Sequence, residues 1–302
     1  MFDKLREKAR DRDEKHDNFQ QAAPTPAPAY EAPAYESSSI HQAPPPFQTH
    51  FASMSMHAAD DLRFLSFPTP VIDACRATTQ ALWSGGIQRE GIYANSYEFK
   101  LTGYPWSSMG SSAMQARRLM AGLLGTLHGM GWVLTLNTDV SKSTADKDTL
   151  LFRHQSPSPA PCDWCSISFS RADRMRLIDV SPEVCQTLSA RLGKEWVSKV
   201  SEYAPGIQEI KFHGYPWSAS GKETMRVRGL FLVMLATLEE EGWTVYASVD
   251  QSMAGGSDNT GETDTVSVFV SSIQDSGWLT VLQWHCCRLK GWVRGAPVYH
   301  GR

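Results

Sequence analysis

The sequence predicts an α+β protein made of two tandem homologous units, with the helices of each unit packed on one face of its sheet. Two observations lead to this fold class. Residues 99–141 and 210–252 align with each other without a gap, and both contain the string Gly-Tyr-Pro-Trp. In each copy, stretches that alternate apolar and polar side chains are interspersed with stretches of helical periodicity. Because two copies of one sequence fold alike, the duplication determines the architecture.

Each unit is predicted to run strand, helix, strand, helix, and then a three-strand antiparallel meander. A short apolar strand leads into Thr69-Pro70 or Ser181-Pro182, where a hydroxyl followed by proline is typical of a helix start. Gly-Ile-Gln follows this first helix in both units, and the first unit has extra residues at 89–97 before its next strand.

The second helix of each unit carries an apolar stripe that includes Met114 in one copy and Met225 in the other. Residues 119–136 hold no formal charge, but the matching stretch contains three glutamates, so we predict a helix and a strand instead of a membrane span. The last strands of the two meanders are expected at 166–170 and 279–284. Since near-copies often pair symmetrically, we expect the units to meet about a pseudo-twofold axis.

Composition divides the chain into four parts. Residues 1–59 are rich in Pro, Ala and Ser after a charged opening, and such a segment buries too little apolar area to offset the entropy of ordering. We interpret it as a disordered tether, with its Pro-Ala-Tyr pieces as alternative docking motifs. Repeat unit 1 is assigned to 60–171, repeat unit 2 to 172–285, and a C-terminal tail to 286–302.

Charge and cysteine content limit the class of protein. The 302 residues include 29 basic and 32 acidic side chains, a net charge of −3, which disfavours a protein that grips nucleic-acid phosphates. The six cysteines lie in core-rich segments and the chain starts without an apolar leader. These features indicate reduced thiols and a cytoplasmic location.

The two Gly-Tyr-Pro-Trp strings are the first candidate binding site, with Tyr104 and Trp106 in one unit and Tyr215 and Trp217 in the other. A proline-stiffened turn with two aromatic faces can stack on a ring, a proline or a cation. The favoured alternative is structural: proline fixes the turn and each Trp fills a gap beneath the following helix.

Charged residues also recur at matching positions of the copies: Arg117 with Arg228, Asp139 with Asp250, and Asp148 with Asp264. We interpret them as Arg–Asp pairs that hold helix to strand. In the functional alternative, each arginine grips a phosphate or carboxylate through a bidentate contact.

No metal site, cofactor site or catalytic centre is predicted. Cys162 and Cys165 form a Cys-x-x-Cys string, but His285-Cys286-Cys287 has the wrong spacing to complete a zinc site, so ordinary thiols are favoured. Acylation of Cys286 and Cys287 stays open because basic residues follow them. Known catalytic motifs are missing and no histidine recurs in both copies, which argues against an enzyme.

The strings LIDVSP, FKLTGYPW, GWVLTLNTDVS and DKDTLLF give the chain a family resemblance. It resembles a family of uncharacterised, mainly fungal repeat proteins with GYPW and GW motifs, over residues 60–284. The resemblance implies no activity, ligand or catalytic residue.

We therefore expect a cytoplasmic, non-enzymatic scaffold or adaptor that binds another protein. We expect it neither to bind nucleic acid nor to contain a transmembrane segment. One alternative is a peripheral membrane protein that binds lipid headgroups through Arg117, Arg228 and the basic C-terminal tail. An enzyme of unknown class is the second alternative.

Overall fold

Two six-stranded antiparallel sheets, each with two helices, make up the computed structural model of the protein, which describes residues 49–138, 148–250 and 282–298. The first repeat consists, in chain order, of β1 (Phe51–His57), β2 (Asp61–Leu65), α1 (Thr69–Leu82), β3 (Ile87–Tyr93), β4 (Ser96–Leu101), α2 (Gly110–Gly129), β5 (Trp132–Thr138) and β6 (Thr149–His154).

The second repeat has the same order of elements. It consists of β7 (Cys162–Ser170), β8 (Arg174–Ile178), α3 (Pro182–Trp196), β9 (Val197–Ala204), β10 (Ile207–Phe212), α4 (Glu223–Glu240), β11 (Thr244–Asp250) and β12 (Leu282–Leu289). The strand order is β3-β4-β2-β1-β6-β5 in one sheet and β9-β10-β8-β7-β12-β11 in the other, so equivalent strands occupy equivalent places. The α+β class and the two tandem units are confirmed.

Part of the predicted element order is wrong. β3 and β9 each form the edge strand of a hairpin, with β4 and β10 respectively. The sequence predicts extra residues at 89–97 in the first unit and Gly-Ile-Gln after the first helix in both units, without a hairpin in either. The Gly-Ile-Gln strings are not equivalent, because Ile87 begins β3 whereas Ile207 begins β10.

The predicted meander is also wrong in its third strand. Residues 166–170, expected in the first unit, belong to β7, which pairs with β8 and β12 in the second sheet. The equivalent strand of the first repeat is β1, inside the segment assigned to the tether. Ala52, Met54 and Met56 alternate with polar residues in β1 and are buried, so one face of the strand meets the core. β1 pairs with β2 and β6 and therefore lies inside the first sheet.

Each repeat therefore starts at β1 or β7, ahead of the expected starts at residues 60 and 172. Residues 286–289 of the expected tail lie in β12, which also extends beyond the strand expected at 279–284. Residues 1–48 of the tether and the strand expected at 265–269 lie outside the described residues.

The helices of each repeat cover one face of its sheet, as predicted. In the first repeat, Leu119, Leu123 and Leu127 of α2 pack with Phe99 and Phe152 of the sheet. Burial of each such side chain contributes on the order of 2 kcal/mol before the entropy of ordering is subtracted. The core of the second repeat is built in the same way from Phe169, Phe212, Leu188, Leu230 and Met234.

The uncharged stretch 119–136 forms the end of α2, a glycine-containing turn and part of β5, in agreement with the prediction. Within the described ranges, every helix is too short or too polar to cross a lipid bilayer.

Candidate interaction surfaces

Helix α2 contacts the second sheet as well as its own. Its leucines face the first sheet, while Met114, on another side of the helix, packs with Ile178 and Ile207 of the second repeat. We call this contact the repeat junction. It joins α2 to the face of the second sheet that lies opposite that sheet's own helices, α3 and α4.

An aromatic cluster forms one part of the repeat junction. Trp164 lies edge-on to His128 and Tyr246, with ring centroids 5.5 Å and 4.9 Å away. A Cβ atom on Gly125 would lie 2.9 Å from the indole of Trp164, so glycine allows the helix to approach the sheet this closely. The Tyr246 hydroxyl accepts a hydrogen bond from the backbone N–H of Leu134 at 2.7 Å.

An ion pair forms another part of the junction. Arg118 makes a bidentate contact with Asp179, with Nε 2.9 Å from Oδ2 and Nη2 2.8 Å from Oδ1. Nη2 also donates to the Pro205 carbonyl oxygen at 3.1 Å. Because both side chains are partly exposed, we expect the pair to contribute no more than about 1 kcal/mol.

A buried polar layer completes the junction. The Ser166 hydroxyl donates to the backbone carbonyl of Arg117 at 3.3 Å and lies 2.9 Å from Nδ1 of His285. Burial, assisted by the charge of Arg117, lowers the pKa of His285 to about 3. The imidazole is therefore neutral at pH 7, and the positive charge of this layer resides on Arg117.

The repeats do not meet about the expected pseudo-twofold axis. A twofold would place α4 against the first sheet just as α2 lies against the second. Instead, Met225 and Phe51, the counterparts of Met114 and Trp164, are 63% and 57% exposed. The repeats are stacked head to tail, with a helix layer of one against a sheet of the other, because each repeat offers a different face to the contact.

Helix α4 lies at one end of this stack, and the side of α4 that corresponds to the junction side of α2 is exposed to solvent. Met225, expected in the buried apolar stripe, lies on this side, and Leu232 is 68% exposed two turns later. We call Met225, Arg228, Gly229 and Leu232 the α4 face. Their counterparts in α2 are Met114, Arg117, Arg118 and Ala121.

The sheet at the other end has an open face that corresponds to the one α2 covers. Strand register defines the equivalence, because Ser53 pairs with Leu65 as Ser166 pairs with Ile178. We call Phe51, Ser53, Ser55 and Leu65 the β1–β2 face. Their counterparts in the second sheet are Trp164, Ser166, Ser168 and Ile178.

One repeated side-chain cluster was not predicted. In each sheet an arginine Nε donates to a glutamate Oε2, at 2.8 Å or 2.9 Å, and the guanidinium carbon lies 3.8 Å from the centroid of a tyrosine ring. Its members come from three strands, so no local string reveals them; recurrence in both copies is the available signal. The clusters are Arg63–Glu98–Tyr93 and Arg176–Glu209–Tyr203.

Each Gly-Tyr-Pro-Trp string has a buried and an exposed half. Trp106 and Trp217 are buried, and each indole N–H donates to a backbone carbonyl of β2 or β8, at 3.0 Å or 2.8 Å. Tyr104 and Tyr215 are 68% and 71% exposed. The packing interpretation accounts for the tryptophans, whereas the tyrosines are available to a partner.

The recurring arginines have different surroundings. Arg117 is buried in the repeat junction, whereas Arg228 is exposed, with Nη1 2.8 Å from Sδ of Met225, and forms no ion pair within the described part of the chain. Asp148 accepts a hydrogen bond from the backbone N–H of Asp250 at 2.9 Å and so links the two repeats. The other two aspartates of this set, Asp139 and Asp264, lie outside the described residues.

The cysteines are free and buried. Burial raises the pKa of Cys75 to about 12 and that of Cys185 to about 11, so both thiols are protonated at pH 7. Cys286 lies opposite Cys165 in the β7–β12 pair, and burial of Cys286 and Cys287 keeps both from an acylating enzyme in this fold. Among the described residues, no three His, Cys, Asp or Glu side chains are grouped to hold a metal ion.

One domain family of uncharacterised function matches the chain twice, over residues 50–153 and 163–269. The two matches begin at β1 and β7, in agreement with the sheets, and together cover more than half of the chain. Neither a curated protein nor a solved structure matches it significantly.

Proposed function

The chain belongs to this family of uncharacterised domains, of which it carries two copies, and we propose that it is a cytoplasmic, non-enzymatic interaction protein that binds its main partner through the α4 face. One observation supports this most strongly. Met225 and Leu232 are exposed on a side of the helix that the first repeat buries against a sheet. Large apolar side chains exposed together on a folded surface are typical of protein contact sites.

The chemistry of the α4 face fits a protein partner. Met225, Arg228, Gly229 and Leu232 follow the i, i+3, i+4, i+7 spacing of one helical side. Methionine and arginine are enriched at interfaces, and glycine allows a partner to approach the helix backbone. We expect a partner surface that is mainly apolar and offers an acceptor to Arg228.

Tyr104 and Tyr215 are proposed as accessory contacts. Both recur on a proline-stiffened turn, and both expose a rigid ring with a polar tip, which loses little entropy when bound. Residues 1–48 are kept as a candidate tether. That other family members are mainly fungal and carry GYPW and GW motifs stays a prediction.

Site-specific photo-crosslinking in cells tests the proposal. A benzophenone amino acid in place of Leu232 should form a defined adduct, and adding Arg228→Glu should reduce its yield about tenfold, as expected for loss of one interface hot spot. The same crosslinker in place of Val293, an exposed apolar residue outside α4, is the matched control. Identical adducts from positions 232 and 293 would reject the α4 face as a specific binding surface.

Lipid-headgroup binding is the second candidate, because Arg228 is exposed between two apolar side chains. Arg117 cannot take part, since it is buried in the repeat junction. Co-sedimentation with phosphatidylserine vesicles at low salt, abolished by Leu232→Glu, would favour this candidate. Failure to sediment with these vesicles would exclude it.

The enzymatic alternative gains no support from the described residues. The strongest pKa shifts belong to His285 and to buried cysteines such as Cys75, which lie in packing positions. Cytoplasmic location is supported by the six buried, unpaired cysteines, because oxidising compartments favour disulfides.

A further inference from the structure

The two open ends of the stack carry the two halves of the repeat junction. The α4 face is the helix half, and the β1–β2 face is the sheet half. We propose that the partner of the α4 face is a second copy of this chain, whose β1–β2 face receives α4 as the second sheet receives α2. This inference rests on the proposed function and identifies the partner of the same surface.

The helix half keeps two of the residues that the junction uses. Met225 repeats Met114, which packs on the second sheet, and Arg228 repeats Arg117 of the buried polar layer. Both are exposed in α4 although their counterparts are buried. A helix with no partner on this side has no packing reason to retain a methionine there.

The sheet half keeps two serines of the junction. Ser53 and Ser55 stand where the second sheet has Ser166 and Ser168, which are buried beneath the junction. Short serine side chains leave a low surface on which a helix can lie close to the strands. Phe51 and Leu65 add exposed apolar area beside them.

The ion pair of the junction is replaced on both halves together. Gly229 stands in place of Arg118, and Ser66 stands in place of Asp179. Ser66 and Asp179 share the same left-handed backbone conformation, with φ of 65° and 60°. Because both charges are absent at the ends, docking of one copy on another would bury no unpaired charge at this point.

A close contact between helix and sheet in the junction changes on both halves as well. Gly125 touches Trp164, and the corresponding residues at the ends are Ala236 and Phe51. The helix half gains a methyl group where the sheet half has the smaller ring. A close-packed contact tolerates such exchanges when the total volume is kept.

This contact is heterologous, because it joins different faces of two identical chains. Each added copy presents a new α4 face, so the assembly grows to a ring or a filament. In a dimer, one α4 face and one β1–β2 face stay uncovered unless the two copies are related by a twofold rotation that closes the ring.

Light scattering after size-exclusion chromatography of the full chain tests this inference. From about 1 to 100 µM, the mass should rise from the 33.6 kDa of one chain to at least twice that value. Leu232→Glu on the α4 face and Phe51→Glu on the β1–β2 face should each keep the chain monomeric. Val293→Glu and Ile92→Glu place the same charge on exposed apolar residues outside both faces and should leave the assembly unchanged.

A mixture of the two monomeric variants gives the sharper test. L232E retains an intact β1–β2 face and F51E retains an intact α4 face. The mixture should therefore form a complex of twice 33.6 kDa that grows no further, while each variant alone stays at 33.6 kDa. A mixture that remains monomeric would overturn the pairing of these two faces, as would an F51E chain that still assembles.

The outcomes also separate this inference from the proposed function. If the full chain stays at 33.6 kDa while position 232 crosslinks to another protein, self-association is rejected and the interaction function stands. If the crosslink instead joins position 232 to another segment of its own chain, both proposals are rejected.

Discussion

Helices α2 and α4 occupy equivalent positions in the two repeats, but one side that is buried in α2 is exposed in α4. α2 packs on the first sheet with its leucines and on the second sheet with the side that carries Met114. Among the described residues, α4 packs on its own sheet and on α3, and its corresponding side exposes Met225 and Leu232. Within the described part of the chain, no segment covers the side of α4 that corresponds to the junction side of α2.

Recurrence in two copies therefore has two causes that only the structure separates. Trp106 and Trp217 recur because each is buried in the core of its own repeat. Arg117 and Arg228 recur although one is buried and the other exposed, so intra-repeat packing cannot be the reason. Residues of the second kind indicate a surface that is used between repeats.

The largest effect should come from truncating equivalent aromatic residues on the two sheets. Trp164→Ala removes the ring that packs on Gly125, His128 and Tyr246, and we expect a loss of about 3 kcal/mol in the free energy of unfolding. Phe51→Ala, at the equivalent but exposed position, should cost less than about 0.5 kcal/mol in dilute monomer. Urea unfolding measures the loss in the free energy of unfolding for each variant. Equal losses would show that Trp164 gains no stability from its contact with α2.

The pH dependence of stability should differ between variants of the buried layer. The pKa of His285 falls from 6.5 to about 3 on folding, so the unfolded chain binds the additional proton between these values. Stability should therefore drop as the pH falls below 6.5, by about 1.4 kcal/mol per pH unit from this group. Burial lowers the pKa of His128 also, which adds to the slope in the same direction.

Replacing His285 by the residue at the equivalent position of the first repeat isolates the contribution of His285 to the pH dependence of stability. Leu151 pairs with Ser53 as His285 pairs with Ser166, so His285→Leu copies the equivalent position. Urea unfolding between pH 5 and 7 should then show a shallower slope, because the contribution of His285 is removed while that of His128 remains. An unchanged slope in this variant would disprove the assignment to His285.

The smallest effect should come from the junction ion pair. A double-mutant cycle with Arg118→Ala and Asp179→Ala should give a coupling free energy below about 1 kcal/mol, because both side chains are partly exposed. High salt should reduce this coupling further through screening. A coupling that persists unchanged at 1 M salt would indicate a more buried pair than the structure contains.

The sequence alone was sufficient for the features that local periodicity encodes. The duplication, the helices and the buried tryptophans of the GYPW strings follow from patterns within single segments. β1 was missed because its alternating Ala52, Met54 and Met56 follow a biased tract that was assigned to the tether. β3 and β9 were missed because edge strands with few buried residues show little alternation.

The repeat junction was beyond prediction from local patterns for a physical reason. Arg118 and Asp179 meet because one repeat stacks on the other, and neither residue recurs at the matching position of the other copy to draw attention to it. Of the six candidate site residues, the two tryptophans serve packing and Arg117 lies in the junction, whereas Tyr104, Tyr215 and Arg228 are exposed. Exposure depends on the stacking direction, and the pseudo-twofold axis predicted from the sequence is wrong.

Hydrogen exchange of the full chain at low and high protein concentration compares the two helices most directly. In dilute solution, amides of α2 (Gly110–Gly129) should exchange more slowly than those of α4 (Glu223–Glu240), because α2 lies between two sheets whereas α4, among the described residues, packs on one. At high concentration, α4 and the exposed face of β1 should gain protection together. Equal protection of α2 and α4 in dilute solution would contradict the head-to-tail stack with one open helix.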